Sequence, residues 1–423
     1  MRRGIAVAAV TLAGALALIG YLTKAQQPTV AQQPTRASTP GKAHVATDVG
    51  VTGSEISLGA LTDHSGPLSA LGLSTVAGSR IWVDETNSAG GVCGRKITLT
   101  VRDHGSDPGK AKVHYTALEP TVLGFLQVLD APVNAALSQS LIDDEITAVA
   151  VSQSSELLGN PYVIIPGATY DIEMINGLSY LMQQGKIRDG DTIGHLWIDG
   201  EYGANALRGT RYFAAKHNLT VRDVKVSPTD SDLRGVVAGL VSDSRMRAIA
   251  LSVTPAQTVS VAQANPRLPM VGNNPAFAPQ LLDGPAALGN LSVVASSVPF
   301  SAEVPRAQHV AQAFQQGRFE GPPSSGVPYG YAIGEVWGQL LQRACTNGDL
   351  TRAGIQEALR QITGVTTDDL VADLDFAEPG APAARQVYIG VPDATVPGRL
   401  RQVTPLFAAP EAVSYAAPHQ NGD

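Results

Sequence analysis

The chain has 423 residues, 44% of them hydrophobic and only 16% charged, with a formal net charge of −7. That length exceeds what one small core can serve and implies two domains or lobes. An acidic balance without a Lys/Arg run excludes a nucleic-acid binder, which needs a basic footprint, and 2 cysteines exclude a disulfide framework or a Cys/His zinc site.

Arg2 and Arg3 precede an apolar run over 4–22, the pattern of an export signal, so residues 1–25 are set apart from the folded part. The run is long enough to cross a bilayer at ~1.5 Å per residue. It is also rich in Ala and Gly and ends at Thr23, Lys24 and Ala25, a poor small-x-small cleavage site. Cleavage and retention as an anchor both stay open, whereas the lack of a Cys after the run excludes a lipoprotein. The expected location is extracytoplasmic, in the cell envelope or secreted. Residues 26–48 hold Pro28, Pro34 and Pro40 with no apolar periodicity and read as an extended linker.

Folding is expected from residue 49. Alternating Ile56, Leu58 and Ala60 predict a first strand, ending at Asp63. Leu73, Val76, Ala77 and Ile81 predict a helix closed by Gly90 and Gly91; Ile97, Leu99 and Val101 predict a second strand. A helix over 110–119, a strand over 121–128, a helix over 133–141 and a strand over 147–151 follow. Asp171 reads as the N-cap of a helix carrying Ile172, Ile175, Leu178 and Leu181. Strands over 192–198, 220–226 and 247–252 then alternate with helices over 202–217, 233–240 and 258–264. Two late helices cover 331–344 and a stretch from Thr351, the second with Ile355, Ala358, Leu359 and Ile362 on one face. Alternation at this pace means βαβ units and mostly parallel sheets, an α/β class with two sheets.

In open α/β sheets ligands sit at the carboxyl ends of strands, on loops that lead into helices. Those loops are 62–69, 103–108, 127–132, 151–155, 199–203, 252–256 and 272–276, all rich in small and polar residues. The stretches 51–60 (VTGSEISLGA), 65–68 (SGPL) with Gly72, and 87–97 (NSAGGVCGRKI) resemble the opening of type I periplasmic binding proteins. The resemblance is to the branched-chain amino acid receptor group of ABC importers. Asp103, Asp107-Pro108, Glu201-Tyr202-Gly203 and the helix at Tyr331-Ala332 match further along, so that it covers about 49–392.

The resemblance implies two α/β lobes, each a mostly parallel sheet flanked by helices, joined by three hinge crossovers that close on a solute. On this chain the lobes would be 49–168 with 298–372 and 169–297 with 373–410, followed by a flexible tail over 411–423. Cys93 and Cys345 then fall in one lobe, where an exported protein can bond them. Family pockets hold an amino acid's carboxylate with hydroxyls and N–H groups of lobe 1, and its ammonium with an acid of lobe 2.

Several of those positions differ here. The loop after the third strand carries Gln127, Val128, Leu129 and Asp130, and the next one Ser152, Gln153, Ser154 and Ser155. Leu71 stands where an aromatic is common, Tyr202 matches a pocket tyrosine, and Asn274 replaces the acidic ammonium partner. His64 and Thr254 lie on further loops facing the expected cleft. An ammonium buried without a carboxylate is costly, so an amide, a carboxylate or a neutral polar solute fits this lining better than a zwitterion.

No H-E-x-x-H, G-x-S-x-G, P-loop or strand-linked G-x-G-x-x-G is present, so no enzyme, metal or cofactor is expected. The expected partners are a small solute and an ABC permease, with the chain a monomer. A surface solute sensor on the same fold is the alternative.

Overall fold

Strand and helix alternate through the chain in four passages. The structure, a computed structural model, describes residues 45–265, 267–284 and 288–420. The apolar run at 4–22 and most of the expected linker lie outside the described residues. The first passage comprises β1 (Ala46–Thr47), β2 (Glu55–Thr62), α1 (Ser69–Ser88), β3 (Lys96–Asp103), α2 (Pro108–Leu118), β4 (Gly124–Leu129), α3 (Ala131–Asp143), β5 (Ala148–Val151) and β6 (Val163–Ile164). The second comprises α4 (Tyr170–Gln183), β7 (Thr192–Ile198), α5 (Glu201–Lys216), β8 (Thr220–Val226), α6 (Arg234–Val241), β9 (Met246–Ser252), α7 (Pro255–Ala264), β10 (Met270–Asn273) and β11 (Leu291–Ala295). The third adds α8 (Pro305–Gln316), α9 (Gly326–Thr346), β12 (Asp349–Leu350) and α10 (Arg352–Gln361). The fourth adds β13 (Tyr388–Pro392), β14 (Leu400–Gln402) and α11 (Pro410–Ser414).

The strands form two main sheets. A 5-stranded parallel sheet has the order β3-β2-β4-β5-β6. A 7-stranded sheet has the order β14-β13-β11-β10-β9-β7-β8, parallel except where β13 meets β11 and β14. β4 and β5 are buried along their whole length, as expected of central strands covered on both faces, whereas the edge strand β3 is mostly half-exposed. The chain passes between the sheets after β6, after β11 and between α10 and β13. Helices α9 and α10 thereby return to the first sheet, where Trp337, Leu340 and Ile355 join its core.

Local chemistry sets the helix starts. Asp107 accepts from the N–H of Gly109 at 2.7 Å and of Lys110 at 3.2 Å, with Pro108 in the first turn of α2. Asp171, expected as an N-cap, lies inside α4 instead, and Thr169 occupies the cap. Its carboxylate is drawn inward by Ser155, Asn205 and Tyr415.

Two glycines let α1 and α9 touch backbone to backbone. A Cβ at Gly330 would stand 1.9 Å from the Thr75 carbonyl oxygen, and one at Gly78 1.9 Å from that of Val327. Cys93, past the end of α1, is bonded to Cys345 in the last turn of α9, with Cα atoms 6.3 Å apart. Residues after 410, expected to form a flexible tail, instead supply α11 and the buried Tyr415 and Ala417, packed in the core with α4. Burial of apolar side chains in that stretch is what the expectation missed.

Candidate functional site

Residues that follow strand ends of both sheets meet around a cavity of about 30 Å³. Leu71 comes from α1, Gln153 from the loop after β5, and Ser325 and Tyr329 from the start of α9. The other wall is Tyr170 at the start of α4, Asn274 and Pro275 after β10, and Ser296 and Ser297 after β11. An adjoining cavity of about 60 Å³ shares Leu71, Asn274, Pro275 and Ser325 and adds Pro67, Leu68, Phe277 and Leu400. The walls touch where Ser325 Oγ donates to Asn274 Oδ1 at 3.2 Å. Among the described residues no charged side chain lines either cavity. One part therefore offers hydroxyls and amides, and the other apolar surface.

Several buried polar atoms here lack a hydrogen-bond partner: Tyr329 OH in the lining, and Tyr202 OH and Ser152 Oγ behind it. Gln153 faces Tyr329 without the geometry of a hydrogen bond. Burial pushes the Tyr170, Tyr202 and Tyr329 hydroxyls far up, so all three stay protonated and able to donate. Such orphaned donors mark where a ligand's acceptor atoms would be welcome.

Behind the second wall lie two buried acids of α4. Asp171 Oδ2 accepts from Ser155 Oγ at 2.6 Å, Asn205 Nδ2 at 3.2 Å and Tyr415 OH at 3.0 Å. Asn205 Nδ2 also donates to Ser155 Oγ at 2.6 Å. This ties a loop of the 5-stranded lobe to α5 of the other, and Glu156 with Arg208 adds an ion pair at 2.5 Å beside it. Glu173 accepts from Asn273 Nδ2 at 2.9 Å and from Ser296 N–H at 3.2 Å.

Of the residues singled out from the sequence, Leu71, Gln153 and Asn274 line the cavity. Tyr202 is one layer back, its ring 4.6 Å from that of Tyr170. Ser152 is buried close by, whereas Ser154 caps a single helical turn by accepting from Glu156 N–H at 3.4 Å. The structure does not bring the remaining four to the cavity. Val128 packs in the core of the first sheet. Asp130 has φ 84 ahead of α3 and a carboxyl raised by burial. Thr254 caps α7 in a capping box with Gln257. His64 opens on another cavity with Arg80 and Arg318, its N–H held by Asp103 Oδ1 at 2.8 Å.

Sequence reasoning did not single out Tyr170, Tyr329, Ser296, Ser297 and Ser325. Ser296 and Ser297 follow a short, mostly apolar strand over 291–295 that resembles any short buried segment. Tyr329 was hidden because α9 begins at Gly326, earlier than its apolar spacing suggests.

A model of the periplasmic binding protein family matches residues 55–395. Among solved structures, a fatty acid ABC transporter substrate-binding protein from Thermomonospora curvata is 36% identical. It covers 88% of this chain and 97% of its own, with a TM-score of 0.83. A branched chain amino acid ABC transporter protein from Thermus thermophilus with bound valine is 16% identical, with 86% and 99% covered and a TM-score of 0.73. A leucine binding protein from Thermotoga maritima is 15% identical, with 84% and 99% covered and a TM-score of 0.70. The last two show the fold alone. No curated protein matches the chain by sequence. With two parallel-sheet lobes, a cleft between them and these matches, the chain belongs to the periplasmic binding protein family, type I, as a solute-binding protein of the ABC-transporter kind rather than an enzyme.

Proposed function

We propose that the chain is the extracytoplasmic receptor of an ABC importer for a solute with a carboxylate head and an apolar tail, captured by hinge closure. The observation that carries this is the uncharged cleft, with tyrosine and serine hydroxyls in one part and Leu68, Leu71, Phe277 and Leu400 in the other. Hydroxyl donors suit a carboxylate, an apolar wall suits a chain, and an α-ammonium would be buried there with no acid to pair it. The 36% identical relative is named for fatty acids, which agrees in chemistry.

The lobes in this reading are 49–168 with 298–372 and 169–297 with the chain from 373 through the packed Tyr415 and Ala417. A cavity of about 30 Å³ holds roughly one water, so uptake requires the walls to part at the three crossovers. A solute that touches both walls then shifts the population toward the closed form. Closed lobes are what a permease partner would recognise, and the receptor acts as a monomer held outside the cytoplasm by export through residues 1–25.

The test is a thermal-shift screen of stripped protein against octanoate, octanamide, leucine and valine. A ligand at a hundredfold its Kd adds about 2.7 kcal/mol. A shift with octanoate and none with leucine or valine is expected. A shift confined to the amino acids would overturn the carboxylate-and-tail reading, and no shift with any of them would favour a sensor or another solute class.

A further inference from the structure

Glu173 is fully buried in α4, and the second wall of the cleft hangs on it. Its Oε2 accepts from Asn273 Nδ2 at 2.9 Å, and its Oε1 from the Ser296 N–H at 3.2 Å. Asn273 immediately precedes Asn274, and Ser296 itself lines the cavity. Ser296 Oγ lies 2.9 Å from the Ala168 carbonyl oxygen and 3.0 Å from Glu173 Oε1. A carbonyl can only accept, and a hydroxyl has one proton to give. With that proton on Ala168, the contact to Oε1 needs a proton from Glu173.

The neighbouring bonds run in the same direction. Ser252 Oγ donates to Asn273 Oδ1 at 2.8 Å, so the His195 Nε2 that lies 3.0 Å from Ser252 Oγ must be the donor of that pair. Asn273 is thereby oriented with its amide N–H groups toward Glu173 and the Tyr170 carbonyl. A chain of bonds thus runs from His195, in the middle of β7, to Ala168 across the carboxyl ends of β9, β10 and β11, and with the Ser296 proton on Ala168 it closes when Glu173 carries a proton.

We propose that Glu173 is protonated in the folded protein and, in that form, is the positioning residue that sets Ser296 and the Asn273–Asn274 turn for an anionic headgroup. The headgroup half of this rests on the carboxylate reading above; the protonation half does not. Burial supports it, raising the carboxyl from 4.5 to about 8. The titratable groups around it are Asp171 on its own helix, Tyr170, Tyr202 on α5, Tyr329 on α9 and, beyond Ser252, His195. Burial lowers His195 to about 3, so it stays neutral. On the Asp171 side, Tyr415 bonds Asp171, and Arg385 gives its protons to the carbonyls of Ala412 and Tyr415 and to Gln420. Glu173 is thus left without a cation, and a charge on it would repel an incoming carboxylate.

Two measurements on the full chain test this, each with wild type and Glu173→Gln, which stays neutral and can donate to Ser296 Oγ while giving up the acceptor of the Ser296 N–H. Calorimetry with octanoate, ionised throughout, should give wild-type affinity that is flat from pH 6 to 7.5 and falls toward about tenfold per pH unit above about 8, while E173Q stays flat. A flat wild-type profile, or the same fall in E173Q, overturns the proposal, and the wild-type profile decides alone if E173Q does not fold. The second measurement is the thermal midpoint without ligand. Between 4.5 and about 8 the folded chain holds a proton that the unfolded chain has released, so wild-type stability should fall with rising pH through that window, then level off, relative to E173Q. Equal pH dependence overturns protonation. Absence of octanoate binding at every pH, with the midpoint difference present, overturns the carboxylate reading and leaves protonation standing.

Discussion

Replacing Tyr329 by Phe should raise stability and weaken binding together, a pairing that few substitutions produce. The Tyr329 hydroxyl is buried in the cleft lining with no partner. An unsatisfied buried donor costs ~1–3 kcal/mol, so Tyr329→Phe should stabilise the ligand-free protein by about 1 kcal/mol and lift its midpoint by a degree or two. A hydrogen bond from that hydroxyl to a carboxylate would contribute ~1.5–3 kcal/mol, or roughly 10- to 150-fold in affinity for octanoate. Octanamide, which presents a neutral acceptor, should lose only about fivefold. Differential scanning calorimetry without ligand and titration calorimetry with both probes give the three numbers. A destabilised variant that binds octanoate as wild type does would refute the reasoning, because the hydroxyl would then have a structural partner and face no ligand.

The remaining predictions concern the frame of the cleft. The bond between Cys93 and Cys345 spans a sequence separation of 252, so the chain-entropy model gives at most about 5.5 kcal/mol; reduction should lower the urea midpoint, and an unchanged midpoint with both thiols titratable would contradict it. Gly330→Ala puts a Cβ 1.9 Å from the Thr75 carbonyl oxygen and should cost about 1–3 kcal/mol by forcing α1 from α9. Gly239→Ala, with nothing within 4 Å, should be neutral or stabilising by up to about 1 kcal/mol, and similar melting of the two variants would refute the packing argument. Asn205→Ala removes donors from Ser155 and Asp171 and should cost about 1–3 kcal/mol. It should also broaden the distribution of lobe separations in small-angle scattering; a distribution like that of wild type would mean the contact does not hold the lobes.

The strands and helices of the first half were readable because their periodicities are long and cleanly bounded. Ile56, Leu58 and Ala60 alternate in β2, and the expected strands at 192–198 and 220–226 coincide with β7 and β8. Legibility fell where an element is short or owes its existence to a distant neighbour. β6 has two residues and exists through pairing with β5, while β13 depends on β11 and β14 on β13. Nothing in 388–402 announces a strand that closes the edge of a sheet begun two hundred residues earlier, since such pairing is decided by tertiary context.

The cleft was partly readable for the same physical reason. Loops at the carboxyl ends of strands are a topological inference that reaches Gln153 and Asn274, whereas Leu71, inside α1, follows only from the family resemblance. The run from Ser152 to Ser155 looked like one patch of donors, yet its members part company at the end of β5. Gln153 turns to the cavity, Ser154 caps a turn, and Ser155 gives its proton to Asp171. The chain leaves β5 at Val151 and turns at once into a single helical turn that Ser154 caps, so the polar run is split between turn and cavity and does not serve one ligand as a block.

The missing acid illustrates the deeper limit. Asn274 stands where an ammonium partner would be expected, and from the sequence the lobe looks stripped of its carboxylate. An acid is present, but on α4, one layer behind the wall, reached through Asn273 and Ser296. Its distance from Asn274 along the chain conceals it, and its effect differs from that of an acid in the lining. A carboxylate facing the cleft would attract a cation; a neutral carboxyl behind it lends a proton to the hydroxyl network and leaves the lining free of charge. The same residue type, moved back by one hydrogen bond, turns a wall suited to an amino acid's ammonium into one suited to an anion.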